Sequence, residues 1–152
     1  FTLRTGSRTF EAAAYLRRAG ADAAEVRRYF QNDLAGMVAR YSIIRGAKRY
    51  YDGVAVAAVN RNVGRVTAAQ AADEMINISD VNASFVLFPD EDGRIIISAR
   101  SSSDVNVQTI LEPLHGGGNA AAAGAQISDK SLEEVEGELL EQLAIYFSEE
   151  EE

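Results

Sequence analysis

Two apolar runs separated by a short polar link constrain this chain most. Ala83 to Phe88 and Arg94 to Ala99 contain Ser-Phe-Val-Leu-Phe and Arg-Ile-Ile-Ile-Ser. These β-branched and aromatic residues fit a pleated strand surface better than the wall of a helix. The link Pro89-Asp-Glu-Asp-Gly93 has the turn residues of a hairpin loop. A hairpin alone does not bury its apolar side, so other elements must be layered on it.

The residues on either side supply those layers. Gly53-Val-Ala-Val-Ala-Ala-Val59 reads as a short buried strand. Asn60 to Arg65 forms a link, and Thr67 to Ile78 a helix with Ala68, Ala71, Ala72, Met75 and Ile76 on its apolar side. Asp73 and Glu74 are adjacent acids on that helix and are expected to face solvent. After the second hairpin strand comes Arg100-Ser-Ser-Ser-Asp104. Asp104 is placed to cap a helix over Val105 to Leu114, with Pro113 weakening its last turn. Ser131 and Glu134 have capping-box spacing and start a final helix running to about Ser148. Leu132, Val135, Leu139, Leu140, Leu143, Tyr146 and Phe147 form its apolar stripe, and glutamates cover the rest.

The first fifty residues have a different period. Residues 7 to 32 read as two short helices, the first capped by Ser7 or Thr9 and ended by Gly20. Asp22 and Glu25 start the second. A third helix is expected from Asp33 to Lys48, with Leu34, Met37, Val38, Tyr41 and Ile44 as its inner face. Arg40, Arg45, Lys48 and Arg49 are expected on its solvated side. The fold class expected is α/β: a small mixed sheet flanked by helices, preceded by a helical N-terminal segment. The domain boundary is placed between residues 48 and 49.

Leu114-His-Gly-Gly-Gly-Asn-Ala-Ala-Ala-Ala-Gly-Ala-Gln126 is unlike the rest of the chain. Glycine costs roughly 0.5–1 kcal/mol relative to alanine inside a regular element. Three in a row therefore point to a sharp bend or a close approach. If Ala120 to Ala123 begin a helix, its free N–H groups and dipole make an anion site of the glycines. A plain loop before a tightly packed small-residue helix is the other reading, and both stay open at this point. Arg100 and the serine that follows it, with the glycine amides, would form a phosphate-binding set if the fold returns the strand end to the glycines. The spacing matches neither a nucleotide P-loop nor a dinucleotide fingerprint.

Composition narrows the chemistry. There is no cysteine, so disulfides and thiolate metal sites are excluded, and the single histidine, His115, has no nucleophile at a recognisable spacing. The net charge of −8 argues against a general nucleic-acid coat, although Lys and Arg concentrate between Arg4 and Arg65. No apolar run approaches the roughly 20 residues of a membrane span. A cytoplasmic domain is expected. The start at Phe1 suggests a fragment of a longer chain.

Ile97-Ser-Ala-Arg-Ser101, Val105-Asn-Val-Gln108 and Gly116-Gly-Gly-Asn-Ala-Ala-Ala-Ala-Gly-Ala-Gln126 together resemble the DHH-associated domain of DHH-family phosphoesterases. They resemble in particular the C-terminal part of the membrane-bound cyclic-di-AMP phosphodiesterases of Gram-positive bacteria. Thr5-Gly-Ser-Arg-Thr-Phe10 and Ala12-Ala-Ala-Tyr-Leu16 look like the end of the catalytic DHH domain in that group.

The resemblance implies a division of labour. An N-terminal DHH domain would hold two manganese ions, through Asp and His residues in sequence before Phe1, and activate water for attack on a phosphodiester. This chain would bind the substrate, a cyclic dinucleotide or short oligonucleotide, through Arg100, Ser101, Gly116, Gly117, Gly118, Asn119, Ala123 and Gly124. It would also pack on the DHH domain, and could form a homodimer; the parent could be anchored in the membrane. Asn119 stands where the family motif, usually Gly-Gly-Gly-His, has its histidine. Asparagine can donate and accept hydrogen bonds but cannot carry a proton near neutral pH. DHH-associated domains also occur in single-strand exonucleases and oligoribonucleases, so an oligonucleotide-binding module is the alternative. A dimerisation piece without a ligand ranks third.

Overall fold

The computed structural model describes residues 5–31, 33–51, 53–102 and 105–149. By its contacts the chain divides into two compact units, Phe1–Leu34 and Ala35–Glu152. The first unit contains α1 (Ser7–Arg18) and α2 (Ala23–Tyr29), neither of which buries a residue. Asp22 caps α2 as expected, its side chain accepting a hydrogen bond from the Ala24 N–H. The cap of α1 is Gly6, without a side-chain bond, and neither Ser7 nor Thr9 takes that position.

The second unit is built on a six-stranded mixed sheet in the order β1-β2-β3-β4-β6-β5. Its strands are β1 (Lys48–Tyr50), β2 (Val54–Ala58), β3 (Ala83–Pro89), β4 (Ile95–Ser101), β5 (Gly117–Asn119) and β6 (Ala122–Ile127). The hairpin read from sequence is β3–β4, antiparallel over its whole length. Among the described residues only β2 and β3 pair in parallel. Such a pair needs a crossover, and α4 (Arg65–Met75) supplies it.

Strand alternation divides the core between the two faces. On one face Phe85, Leu87, Ile95, Ile97, Ala99, Ala123 and Ala125 meet α5 (Val107–Leu111) and α6 (Leu132–Glu149), which contributes Val135, Leu139 and Leu143. On the other face Val86, Phe88 and Ile96 meet Ala68, Ala71, Ala72 and Met75 of α4 and Ile43 of α3 (Leu34–Arg45). The capping box of α6 is present: the Ser131 N–H donates to Glu134 Oε2 at 2.7 Å, and the Glu134 N–H donates to Ser131 Oγ at 3.2 Å. These bonds and nearby Lys130 hold the Glu134 carboxyl below its ordinary pKa.

Four sequence expectations change. Ala120 to Ala123 do not start a helix: β5 and β6 form a hairpin, which removes the helix dipole from the glycine segment. The third helix stops at Arg45, and Lys48 to Tyr50 instead form an edge strand on β2. Its buried residues are Ile43 and Arg40, whereas Leu34, Val38 and Tyr41 are exposed. Arg40 is therefore not on a solvated face. The helix after β4 is shorter than expected, with Asn106 as its cap and a 3-10 turn, Glu112–Leu114, at its end. The expected cap Asp104 and the terminal Glu150 to Glu152 lie outside the described residues.

Candidate functional site

The α4 face of the sheet is only partly covered. α4 packs mainly on β3 and β4, so the residues of β6 and β5 on this side lie beyond its main footprint, and Gly117, Asn119 and Gln126 among them are exposed. By register the residues on this side are Ala122, Gly124 and Gln126 on β6 and Gly117 and Asn119 on β5, beside Ser98 and Arg100 on β4. The result is a groove with a floor of small residues and α4 as one wall. Arg65, Ala69 and Asp73 recur every four residues, which puts them on one edge of that helix, above the floor.

The glycines differ in what requires them. A Cβ on Gly116 would lie 2.7 Å from Leu111 Cβ and 2.9 Å from Gly124 O, so α5 packs too closely for a side chain. Gly118 has φ +149°, and a Cβ there would lie 2.3 Å from Ala122 O. Gly124 is tight against Ile97 O at 3.1 Å. Gly117 has neither constraint: an added Cβ meets nothing within 4 Å. Gly117 and Gly124 face each other across β5 and β6 on the uncovered side. Gly116 and Gly118 serve the fold. Packing gives no reason for the bare backbone at Gly117.

Arg100 stands at one end of this floor, opposite Ala122. Its Nε donates to Asp73 Oδ1 at 2.8 Å and its Nη1 to Ala99 O at 2.9 Å. The Nη2 group makes no hydrogen bond to another described residue. These two bonds fix the guanidinium through Nε and Nη1, which share no donor edge, so Nη2 is the group that remains for another acceptor. The Arg100 side chain is 23% exposed and that of Asp73 56%. Asn119 is on the same side, and its Oδ1 accepts from the N–H groups of Ala121 and Ala122 at 3.0 and 3.1 Å. Asparagine at the first position of a turn does this readily. Asn119 therefore shapes the hairpin tip.

The structure brings Arg100, Gly117, Gly124 and Asn119 together. It does not bring Ser101 or Ala123 with them. Alternation turns the Ser101 side chain to the opposite face, where it is buried, and its N–H holds the hairpin tip by donating to Ala121 O at 2.9 Å. Ala123 packs in the core beneath. Four residues not singled out for the site in the sequence also line the groove. Asp73 pairs with Arg100; Arg65, His115 and Gln126 surround a shallow cavity of about 370 Å³ at the far end, together with Gly117 and Gly124. The four-residue repeat of Arg65, Ala69 and Asp73 was the one available signal.

Among the described residues no three His, Cys, Asp or Glu side chains gather where they could hold a metal ion, and no helix is long and apolar enough to cross a membrane.

Fold and groove define a mixed α/β domain with one glycine-lined sheet face. A family profile described as the DHHA1 domain matches residues 52–149, and the chain belongs to that family. It is 42% identical to the cyclic-di-AMP phosphodiesterase PdeA of Listeria monocytogenes over 97% of its length. To the cyclic-di-AMP phosphodiesterases GdpP of Geobacillus thermodenitrificans and Bacillus subtilis it is 46% and 39% identical, again over 97% of the chain. It spans 23% of the length of each of these relatives. Among solved structures, an exopolyphosphatase-related protein from Bacteroides fragilis superposes with a TM-score of 0.75 at 18% identity, covering 93% of this chain and 45% of the other. The pGpG-specific phosphodiesterase PggH from Vibrio cholerae gives 0.55 at 17%, covering 95% of this chain and 53% of that one. At such identities these two likenesses show the fold.

Proposed function

We propose that this chain is the substrate-holding part of a phosphodiesterase that opens cyclic-di-AMP to a linear dinucleotide. The observation that carries this reading is the bare backbone at Gly117, facing Gly124 on the uncovered sheet face beside the half-free fork of Arg100. An arginine fork fits phosphate oxygens, and a glycine floor lets a flat, bulky ligand approach the main chain. The names of the long relatives that match over 97% of the chain supply the substrate.

In this reading the chain's own residues bind and orient. Arg100 holds a phosphodiester oxygen through Nη2 and keeps Nε on Asp73. Gly117 and Gly124 seat the nucleotide against the sheet. Among the described residues no three side chains gather to hold a metal ion, and in this reading the manganese, with the water it would activate, belongs to a DHH domain in preceding sequence. Residues 1–48 are read as the helical end of that domain with its connecting helix. The exposed Phe10, Tyr15, Leu16, Val26, Tyr29 and Phe30 of the first unit support this, because apolar helix sides call for a surface to cover them. The parent would be held at the membrane by segments outside this chain.

Calorimetric titration with cyclic-di-AMP tests the reading. Binding by the chain, and a loss of about tenfold or more in Arg100→Ala, are expected. An unchanged affinity in that variant would remove the groove from consideration. Tight, salt-steep binding of oligonucleotides of many lengths would instead favour the oligonucleotide module. Turnover of cyclic-di-AMP by these 152 residues with manganese would refute the division of labour.

A further inference from the structure

The groove has a second polar end to which the reading above gives no task. Ile96↔Gln126 lies four residues along β4 from Arg100↔Ala122, about 13 Å at roughly 3.3 Å per residue. Arg65 reaches this end from α4 and donates its Nη2 to Gln126 Oε1 at 2.7 Å. His115 meets it from the glycine side, in a left-handed conformation (φ 57°) that closes the 3-10 turn. With Gly117 and Gly124 these three line the 370 Å³ cavity.

We propose that Arg65, His115 and Gln126 form a second phosphate subsite, so that the groove takes a ligand with two phosphate groups, one toward each end. The proposal rests on the phosphodiester-holding role of the Arg100 end and adds a second contact to it.

Three observations argue for an anion here. First, Arg65 is the first residue of α4, whose opening turn has no acid. A cation there opposes the helix dipole, so the position works against the helix unless an anion joins it. Second, the charge of Arg65 is not cancelled. Its side chain is 60% exposed, and among the described residues the one carboxylate paired with it, that of Asp90, is 4.0 Å away. Asp90 is committed elsewhere: to Arg94 Nη2 and Nε, both at 2.9 Å, and to the N–H groups of Asp92 and Arg94. Third, the cavity wall includes Gly117, where the fold leaves open space above bare backbone. Gln126, in accepting from Arg65, orients the guanidinium fork and keeps its own amide N–H groups for the ligand.

Equilibrium binding of three probes to the 152-residue chain tests this. Cyclic-di-AMP and 5′-phosphorylated diadenylate each carry a second phosphate; the plain dinucleoside monophosphate ApA carries one. Arg65→Gln should weaken the first two about tenfold and leave ApA within about twofold. Arg100→Ala should weaken all three. Arg61→Gln removes a nearby charge that hydrogen-bonds Ser42, and should change none. If Arg65→Gln alters no probe, or all three equally, while Arg100→Ala still acts, the subsite is refuted and the groove stands. A loss in Arg61→Gln equal to that in Arg65→Gln would also refute it, by assigning the effect to general surface charge. If Arg100→Ala has no effect on any probe, the groove reading fails and the subsite fails with it.

Discussion

Two neighbouring acids on α4 each hold an arginine, and the two pairs differ in everything except their chemistry. Glu74 accepts from Arg40 Nε at 2.8 Å, and Gln70 Oε1 accepts from Arg40 Nη1 at 3.2 Å; the Arg40 side chain is 7% exposed and that of Glu74 37%. Asp73 accepts from Arg100 at the same 2.8 Å, but with 56% and 23% exposure. Successive helix residues point about 100° apart, so Glu74 turns toward α3 and Asp73 toward the open floor. One arginine is enclosed between helices, with Nε on Glu74 and Nη1 on Gln70. The other stands over a floor on which Gly117, Asn119 and Gln126 are exposed. Identical charge pairing therefore serves the fold on one side of α4 and, in our reading, a ligand on the other.

The sharpest way to break the comparison is to remove each acid. Glu74→Ala leaves Arg40 enclosed with Gln70 as its one side-chain partner. Stranding a buried charge is costly, and a loss of about 3 kcal/mol is expected. Asp73→Ala frees an arginine that water can reach, and should cost under about 1 kcal/mol. Urea midpoints of the two variants provide the measurement. Equal losses would mean that both pairs are structural.

The glycines repeat the contrast on a smaller scale. Gly118→Ala forces a Cβ to within 2.3 Å of Ala122 O at a positive φ, and should destabilise the chain by about 2 kcal/mol or more. Gly117→Ala meets open space and should stabilise it by up to about 0.5–1 kcal/mol. The same substitution should weaken cyclic-di-AMP binding, because its methyl group stands on the floor. A Gly117→Ala chain that is more stable and binds as before would show that the bare backbone has no ligand to meet.

What the sequence revealed follows the range of the interactions involved. The β3–β4 hairpin, the buried alanines and Met75 of α4, and the Ser131–Glu134 box were legible because each depends on residues close in the chain. The inner side of α3 was not. Leu34, Met37, Val38, Tyr41, Ile43 and Ile44 wrap more than one side of that helix, so periodicity alone could not choose. The choice falls on Ile43 and Arg40 because Arg40 finds Glu74 and Gln70, 34 and 30 residues away. The glycine hairpin was misread for a related reason. Alanines favour helix locally, but Ala122 to Ile127 pair along β4, and that neighbour decides their state. Arg100 and Gly117 stood out in the sequence as a strand-end arginine and part of a glycine run, and the family resemblance pointed to them again. Arg65, His115 and Gln126 meet only once β6 and β5 fold back beside α4.

The smallest expected effect is also the most specific. Asp73→Asn keeps an oxygen that can accept from Arg100 Nε, so the guanidinium should stay in place while one negative charge leaves the groove. At about 6 Å in a water-like dielectric that charge is worth about 0.7 kcal/mol against a bound phosphate. Affinity for cyclic-di-AMP should therefore rise about threefold at low ionic strength. The gain should vanish near 1 M salt, where the screening length falls to about 3 Å. Titrations of the wild type and Asp73→Asn at both salt concentrations would show it. A fall in affinity would mean that the carboxylate orients Arg100 in a way the amide cannot, making Asp73 a positioning residue. No change at either concentration would place the phosphate away from Arg100 and return the pair to the same structural class as Arg40 and Glu74.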